Sequence, residues 1–290
     1  VARDRQPVLV LRHPERAVRI AEALGAVGLA SFALPLTDSE LPADVDAVGA
    51  ELHLLGSGRY RWLTVTSANT VKALGMVAAS QGTSLARIVS AGGARVAAVG
   101  SATARSLAEA GVAVDLVPQD ASSAGLLAEF PRGGDAVLLP QADLAPDDLR
   151  AGLAALGWAV QRVEAYRTVP YPAEPERRVA GVVEQGTPPP LIALRELATM
   201  AADGVQPAIV FTAPSTVRQF HEKLGEGSLA FLPVAIGRAT ATALREQGWE
   251  PGATAADPTP LGIARAVDEA LSRGSAVTRV PAPPLNGDQP

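Results

Sequence analysis

Four short segments carry small hydroxyl or amide side chains where an apolar run gives way to an amphipathic one: Thr66-Ser67-Ala68-Asn69, Gly100-Ser101-Ala102-Thr103, Thr212-Ala213-Pro214-Ser215 and Gly237-Arg238-Ala239-Thr240. At a strand-to-helix turn the first amides of the helix lack intrahelical partners. They point, with the positive end of the helix dipole, beyond the carboxyl edge of the sheet. Such a turn binds an anion without needing a lysine. Each could equally be a plain helix cap, with Ser, Thr or Asn satisfying the same donors. Four equivalent turns favour a ligand, because open α/β sheets bind outside the carboxyl ends of their strands. Two other places could do chemistry. Arg12-His13 closes the first apolar run, and Tyr166 lies in Val163–Pro170. A phenol, with an ordinary pKa of about 10, is protonated at neutral pH and could donate a proton. It could equally be a packing aromatic with its hydroxyl satisfied. His53 and His221 fall on amphipathic stretches and read as surface residues.

The elements that must position these groups follow from periodicity. Val8–Leu11, Trp62–Val65, Val96–Val99, Ala136–Leu139, Ala208–Phe211 and Val234–Ile236 read as strands. Pro14–Leu24, Asn69–Ala79, Ala102–Ala110, Pro146–Leu156, Ser215–Leu224 and Ala239–Gln247 follow them as helices. Strand then helix, repeated, predicts an α/β protein with mostly parallel sheets.

The chain also matches itself. Gly100, Gly111 and Gly125 recur 137 residues later as Gly237, Gly248 and Gly262, and Thr103, Ala104 and Leu107 recur as Thr240, Ala241 and Leu244. Thr66–Val71 recurs as Thr212–Val217 at an offset of 146, so 34 residues separate Thr66 from Gly100 and 25 separate Thr212 from Gly237. A weaker pair joins Val8–Leu36 to Ala136–Thr168. This order admits tandem domains split near Gly133-Gly134, or one domain inserted into another with crossings near Ala33–Glu40 and Glu164–Pro172.

Composition excludes much. Among 290 residues there is no cysteine, which removes disulfide scaffolds, thiolate metal sites and cysteine nucleophiles. A net charge of −5, with lysine only at Lys72 and Lys223, argues against a nucleic-acid or anionic-membrane binder. No apolar run reaches the ~18–20 residues of a membrane span, and Val1–Pro7 is too short and polar for a signal peptide, so a soluble cytoplasmic protein is expected. No G-x-G-x-x-G, P-loop or G-x-S-x-G motif marks the turns. Gln185–Pro190 reads as a loop before a helical insertion at Leu191–Ala202, and the Gly/Pro-rich residues 273–290 as a disordered tail.

Taken in order, Leu63–Val71, Ala97–Gly111, Val137–Leu153 with Leu156-Gly157, Val163–Pro170, Ile209–Phe220 and Val234–Thr242 with Thr259–Gly262 resemble the uroporphyrinogen-III synthase family. The resemblance implies two flavodoxin-like domains joined by a two-strand linker, with substrate in the cleft between them. In this numbering residues 1–36 and 172–271 form a discontinuous domain, 39–165 an inserted one, and 33–40 and 164–172 the linkers. It implies no cofactor and no metal. The substrate it implies is hydroxymethylbilane, a linear tetrapyrrole with eight carboxylates, closed to uroporphyrinogen III with ring D inverted through a spirocyclic pyrrolenine. A monomer that could take its substrate from the preceding pathway enzyme is expected. Tyr166 matches the family tyrosine that assists departure of the hydroxyl. The substrate-binding set expected from the turns and the resemblance is Arg12, His13, Thr66, Ser67, Ala68, Asn69, Gly100, Ser101, Thr103, Gln141, Thr212, Ala213, Pro214, Ser215, Gly237, Arg238 and Thr240. The chain departs from the family pattern in having Gln141 where arginine commonly follows Leu-Pro, His13 after Arg12, and Arg238-Ala239 in its last turn. The rival from another class is a two-lobed cytoplasmic sensor that closes on an anionic metabolite without chemistry.

Overall fold

Trp62-Leu63-Thr64-Val65 is buried along its whole length, which an isolated alternating strand would not be. Its side chains divide between two cores. Leu63 and Val65 enter a cluster with Val71, Leu74 and Leu107, while Trp62 enters one with Phe130, Leu139 and Trp158. A strand hydrophobic on both faces needs helices on both, and this one has them.

The computed structural model describes residues 6–179, 184–224, 229–273 and 278–280. Its strands are β1 (Val8–Val10), β2 (Ser31–Ala33), β3 (Thr37–Glu40), β4 (Trp62–Val65), β5 (Arg95–Ala98), β6 (Ala136–Ala142), β7 (Ala159–Pro170), β8 (Ala208–Phe211), β9 (Leu229–Ala235), β10 (Ala253–Thr254) and β11 (Thr278–Val280). The helices are α1 (Val18–Ala26), α2 (Val45–Gly56), α3 (Ala68–Ser80), α4 (Leu85–Gly92), α5 (Ser101–Glu109), α6 (Ser123–Glu129), α7 (Asp148–Ala155), α8 (Leu194–Ala202), α9 (Pro214–Lys223), α10 (Arg238–Glu246) and α11 (Pro260–Arg273). Among the described residues no helix is long and apolar enough to cross a membrane.

The chain divides into two compact units, Val1–Leu36 with Val182–Pro290, and Thr37–Gly181. In the first, the sheet runs β10-β9-β8-β1-β2, all parallel, and β11 adds antiparallel to β9. Counted along that unit, the parallel strands lie in the order 2-1-3-4-5, a doubly wound arrangement whose ligand crevice falls between strands 1 and 3. In the second, the order is β3-β7-β6-β4-β5, parallel except for β3.

Three expectations are corrected here. Residues 172–179 belong with the second unit, not the first, because Val179 donates its backbone N–H to Ser39 and buries its side chain in that core. Part of the expected disordered tail is ordered: Thr278–Val280 pairs with Leu229–Phe231, while 274–277 and 281–290 lie outside the described residues. The insertion is helical only from Leu194. Leu191 forms a parallel bridge to Ala33, and Glu196 caps the helix by accepting from the Ala193 amide at 2.6 Å. The run of prolines before Leu191 holds that stretch extended.

The two stretches expected to carry the chain crossings pair with each other, Thr37 opposite Pro170 through Glu40 opposite Arg167. β7 is therefore one strand with two tasks. Its first half completes the parallel sheet against β6, and its second half forms a ribbon with β3.

The longer spacing in the first Thr/Gly pair is taken up by α4, which packs on α2 with no room for a side chain. A Cβ at Gly92 would overlap the Leu55 carbonyl oxygen. Gly92→Ala is expected to cost about 1–3 kcal/mol by overpacking against backbone, read as a lower urea midpoint at unchanged slope.

Candidate functional site

All four turns stand at carboxyl ends of parallel strands. Thr66-Ser67 leads from β4 into α3, Gly100 from β5 into α5, Thr212-Ala213 from β8 into α9, and Gly237 from β9 into α10. Only the first has a side-chain cap, in which Ser67 Oγ accepts from the Thr70 amide at 3.1 Å. Gly100, Ala213 and Gly237 are N-caps whose side chains accept no bond from the first turn. At α5 and α10 the first-turn amides thus keep their donors for another acceptor. At α9 Pro214 removes one donor, and the Thr216 amide turns back to Ala213 at 3.1 Å.

Within the second unit the first turn meets Tyr166. Its ring packs against the core, and its hydroxyl lies 3.3 Å from Ser67 Oγ. A β-bulge produces this position. Gln141 pairs with Glu164 and Ala142 with Tyr166, so β7 carries one extra residue and the side chain is re-aimed toward α3. Asn69 donates to Ser39 Oγ at 3.1 Å, tying the first turn to β3. Gln141 is buried at the end of β6, and its Oε1 has no hydrogen-bond partner among the described residues. Thr103 is buried behind the second turn, where Ser101 is exposed.

Within the first unit Thr212 Oγ1 donates to the Leu11 carbonyl at 3.0 Å, fastening the third turn to the end of β1. Arg12 and His13 follow directly and are half-buried. Burial, and secondarily the neighbouring Arg16, hold the Arg12 guanidinium below its ordinary pKa, against the opposing pull of Glu184. A cation in that position gains from any anion that reaches it. Thr240 is buried, and Ser215 and Arg238 are exposed.

The structure thus groups Thr66, Ser67, Ala68, Asn69, Gln141 and Tyr166 with Gly100–Thr103 along one sheet edge. Arg12 and His13 lie with Thr212–Ser215 and Gly237–Thr240 along the other. Sequence reasoning missed Ser39 and Thr70. Ser39 is thirty positions from its partner, but Thr70 sits one residue past the first turn and could have been read as a capping position.

A family model described as "Uroporphyrinogen-III synthase HemD" matches residues 18–265. The chain belongs to the uroporphyrinogen-III synthase family. It is therefore an enzyme, a cyclising lyase of haem biosynthesis. The fold is similar to that of a mutant uroporphyrinogen III synthase from the extreme thermophile Thermus thermophilus, at 22% identity and a TM-score of 0.62, covering 92% of this chain and 99% of that one. It is also similar to the uroporphyrinogen-III synthetase of Helicobacter pylori 26695, at 16% identity and a TM-score of 0.51, covering 93% and 98%. Comparison with curated protein sequences finds no match.

Proposed function

We propose that the turn amides hold carboxylates of hydroxymethylbilane while Tyr166 protonates its leaving hydroxyl. The C–O bond breaks and water departs, leaving an azafulvene cation whose charge is shared with the pyrrole nitrogen. The substituted carbon of ring D attacks that centre to form the spirocyclic pyrrolenine, and fragmentation with re-closure inverts the ring. The substrate brings its own reactive pyrroles, so the protein's work is to select the folded geometry over head-to-tail closure and to shield the cation from water. The observation that carries this reading is the Tyr166 hydroxyl 3.3 Å from Ser67, the N-cap of α3, a proton donor at the carboxyl end of the sheet that also carries the uncapped turn of α5.

Freshly generated hydroxymethylbilane tests it. Oxidised products should be dominated by isomer III, and a ratio of III to I no higher than in buffer would defeat the reading. Arg12, His13, Gln141 and Arg238 serve as the side-chain contacts among mostly backbone donors. Arg12→Gln is expected to raise KM by about 10–100-fold with little change in kcat, the loss of one charge-assisted hydrogen bond. Steady-state kinetics in substrate excess checks this.

We further read the two units as flavodoxin-like copies of one ancestral domain joined through the β3–β7 ribbon. The shared succession of turns and the matching glycines support that reading. The enzyme works as a cytoplasmic monomer, taking its bilane from the preceding enzyme.

A further inference from the structure

Thr70 is fully buried, and its Oγ1 lies 3.0 Å from Ser67 Oγ, which in turn lies 3.3 Å from the Tyr166 hydroxyl. A hydroxyl offers one donor and two acceptor lone pairs. The Thr70 amide already takes one lone pair of Ser67 at 3.1 Å. Ser67 is left with one donor and one lone pair for two neighbouring hydroxyls, so it donates to one and accepts from the other.

The two arrangements have different consequences. If Ser67 donates to Thr70, Tyr166 spends its proton on Ser67 and the buried Thr70 proton needs another acceptor. Among the described residues Ser67 Oγ is the sole hydrogen-bond partner of Thr70 Oγ1. That arrangement strands a buried donor, which is unfavourable. In the other arrangement Thr70 donates to Ser67, Ser67 donates to the phenol oxygen, and the phenol proton points away from the cluster. The 3.3 Å contact, long for two hydroxyls, suits a bond that tightens once the oxygen becomes negative.

We propose that Thr70 is a positioning residue, which orients the Ser67 hydroxyl toward Tyr166 and thereby keeps the phenol proton available to substrate. This rests on the reading of Tyr166 as the acid. As that proton passes to the departing hydroxyl, the phenolate left behind accepts from Ser67, itself polarised by Thr70.

Thr70→Val removes the hydroxyl and keeps the shape. Single-turnover ring closure is expected to slow about tenfold with KM changed less than about twofold, and Thr70→Ser is expected to restore the rate to within about threefold. In a Tyr166→Phe background Thr70→Val should have no further effect. An unslowed Thr70→Val enzyme, beside a slow Tyr166→Phe one, overturns this inference alone. So does an equal loss from Thr70→Val in both backgrounds, which marks a packing role. A Tyr166→Phe enzyme as fast as the parent overturns the acid reading and this inference with it.

Discussion

Tyr166→Phe is expected to slow single-turnover closure of hydroxymethylbilane by about 10²–10⁴-fold, the usual worth of a positioned proton donor. The expectation depends on how little else the substitution disturbs. The ring packs on the second unit's core, and a phenylalanine keeps that contact. The hydroxyl's partner, Ser67 Oγ, retains its bonds to the Thr70 amide and hydroxyl. Ser67 loses the phenol oxygen as acceptor for its proton but is only half-buried, so water can replace it and stability should change by less than about 1 kcal/mol. On the proposed reading substrate carboxylates still meet the turn amides, so KM should hold while kcat falls. The products separate two roles. If the phenol only speeds loss of the hydroxyl, the slow reaction still yields mostly isomer III. If it also steers ring D, isomer I rises. Rapid mixing followed by oxidation and chromatography gives both readings, and closure at the parental rate removes Tyr166 from the mechanism.

Much of this site was legible because its parts sit at strand ends, where local sequence speaks clearly. Trp62–Val65 and Ala208–Phe211 form strands with the bounds that their apolar runs predict, and the turns after them fall where ligands to open sheets bind. Elsewhere local signals misled. The apolar run predicts a strand at Val234–Ile236, yet β9 runs from Leu229 to Ala235 and pairs Pro233, which has no N–H for the ladder, with Ile209. Thr278–Val280 is hidden in a Gly/Pro-rich segment and forms by pairing with β9, a contact no local pattern reveals. Tyr166 could be picked out by position, but its aim could not. The bulge opposite Gln141 leaves the alternation of β7 intact in sequence and appears only as a change of register. The Asn69–Ser39 bond is equally non-local.

The ribbon that carries Ser39 leads to the second large effect: Asp38→Ala should destabilise the protein by about 3–5 kcal/mol. Successive side chains of a strand alternate in direction, so β3 sends Ser39 to Asn69 and puts Asp38 and Glu40 on its other face. Both carboxylates are at most 4% exposed. Such burial is tolerable only with partners. Asp38 accepts from Arg178 Nε at 2.9 Å and from the Ser39 and Ala173 amides at 2.8 and 3.3 Å. Glu40 accepts from Arg167 Nε at 2.7 Å. Alanine at 38 removes a charge partner from Arg178 and an acceptor from two amides together. Asparagine keeps the shape and one acceptor oxygen, and should cost about 1–3 kcal/mol. Replacing both partners is gentler than removing one, so Asp38→Ala with Arg178→Met should be no less stable than Asp38→Ala alone. Urea titrations of these three variants and of Arg178→Met alone decide the matter. A single-variant loss below about 1 kcal/mol, with additive behaviour in the double variant, would mean that the backbone ladder alone holds β3 against β7.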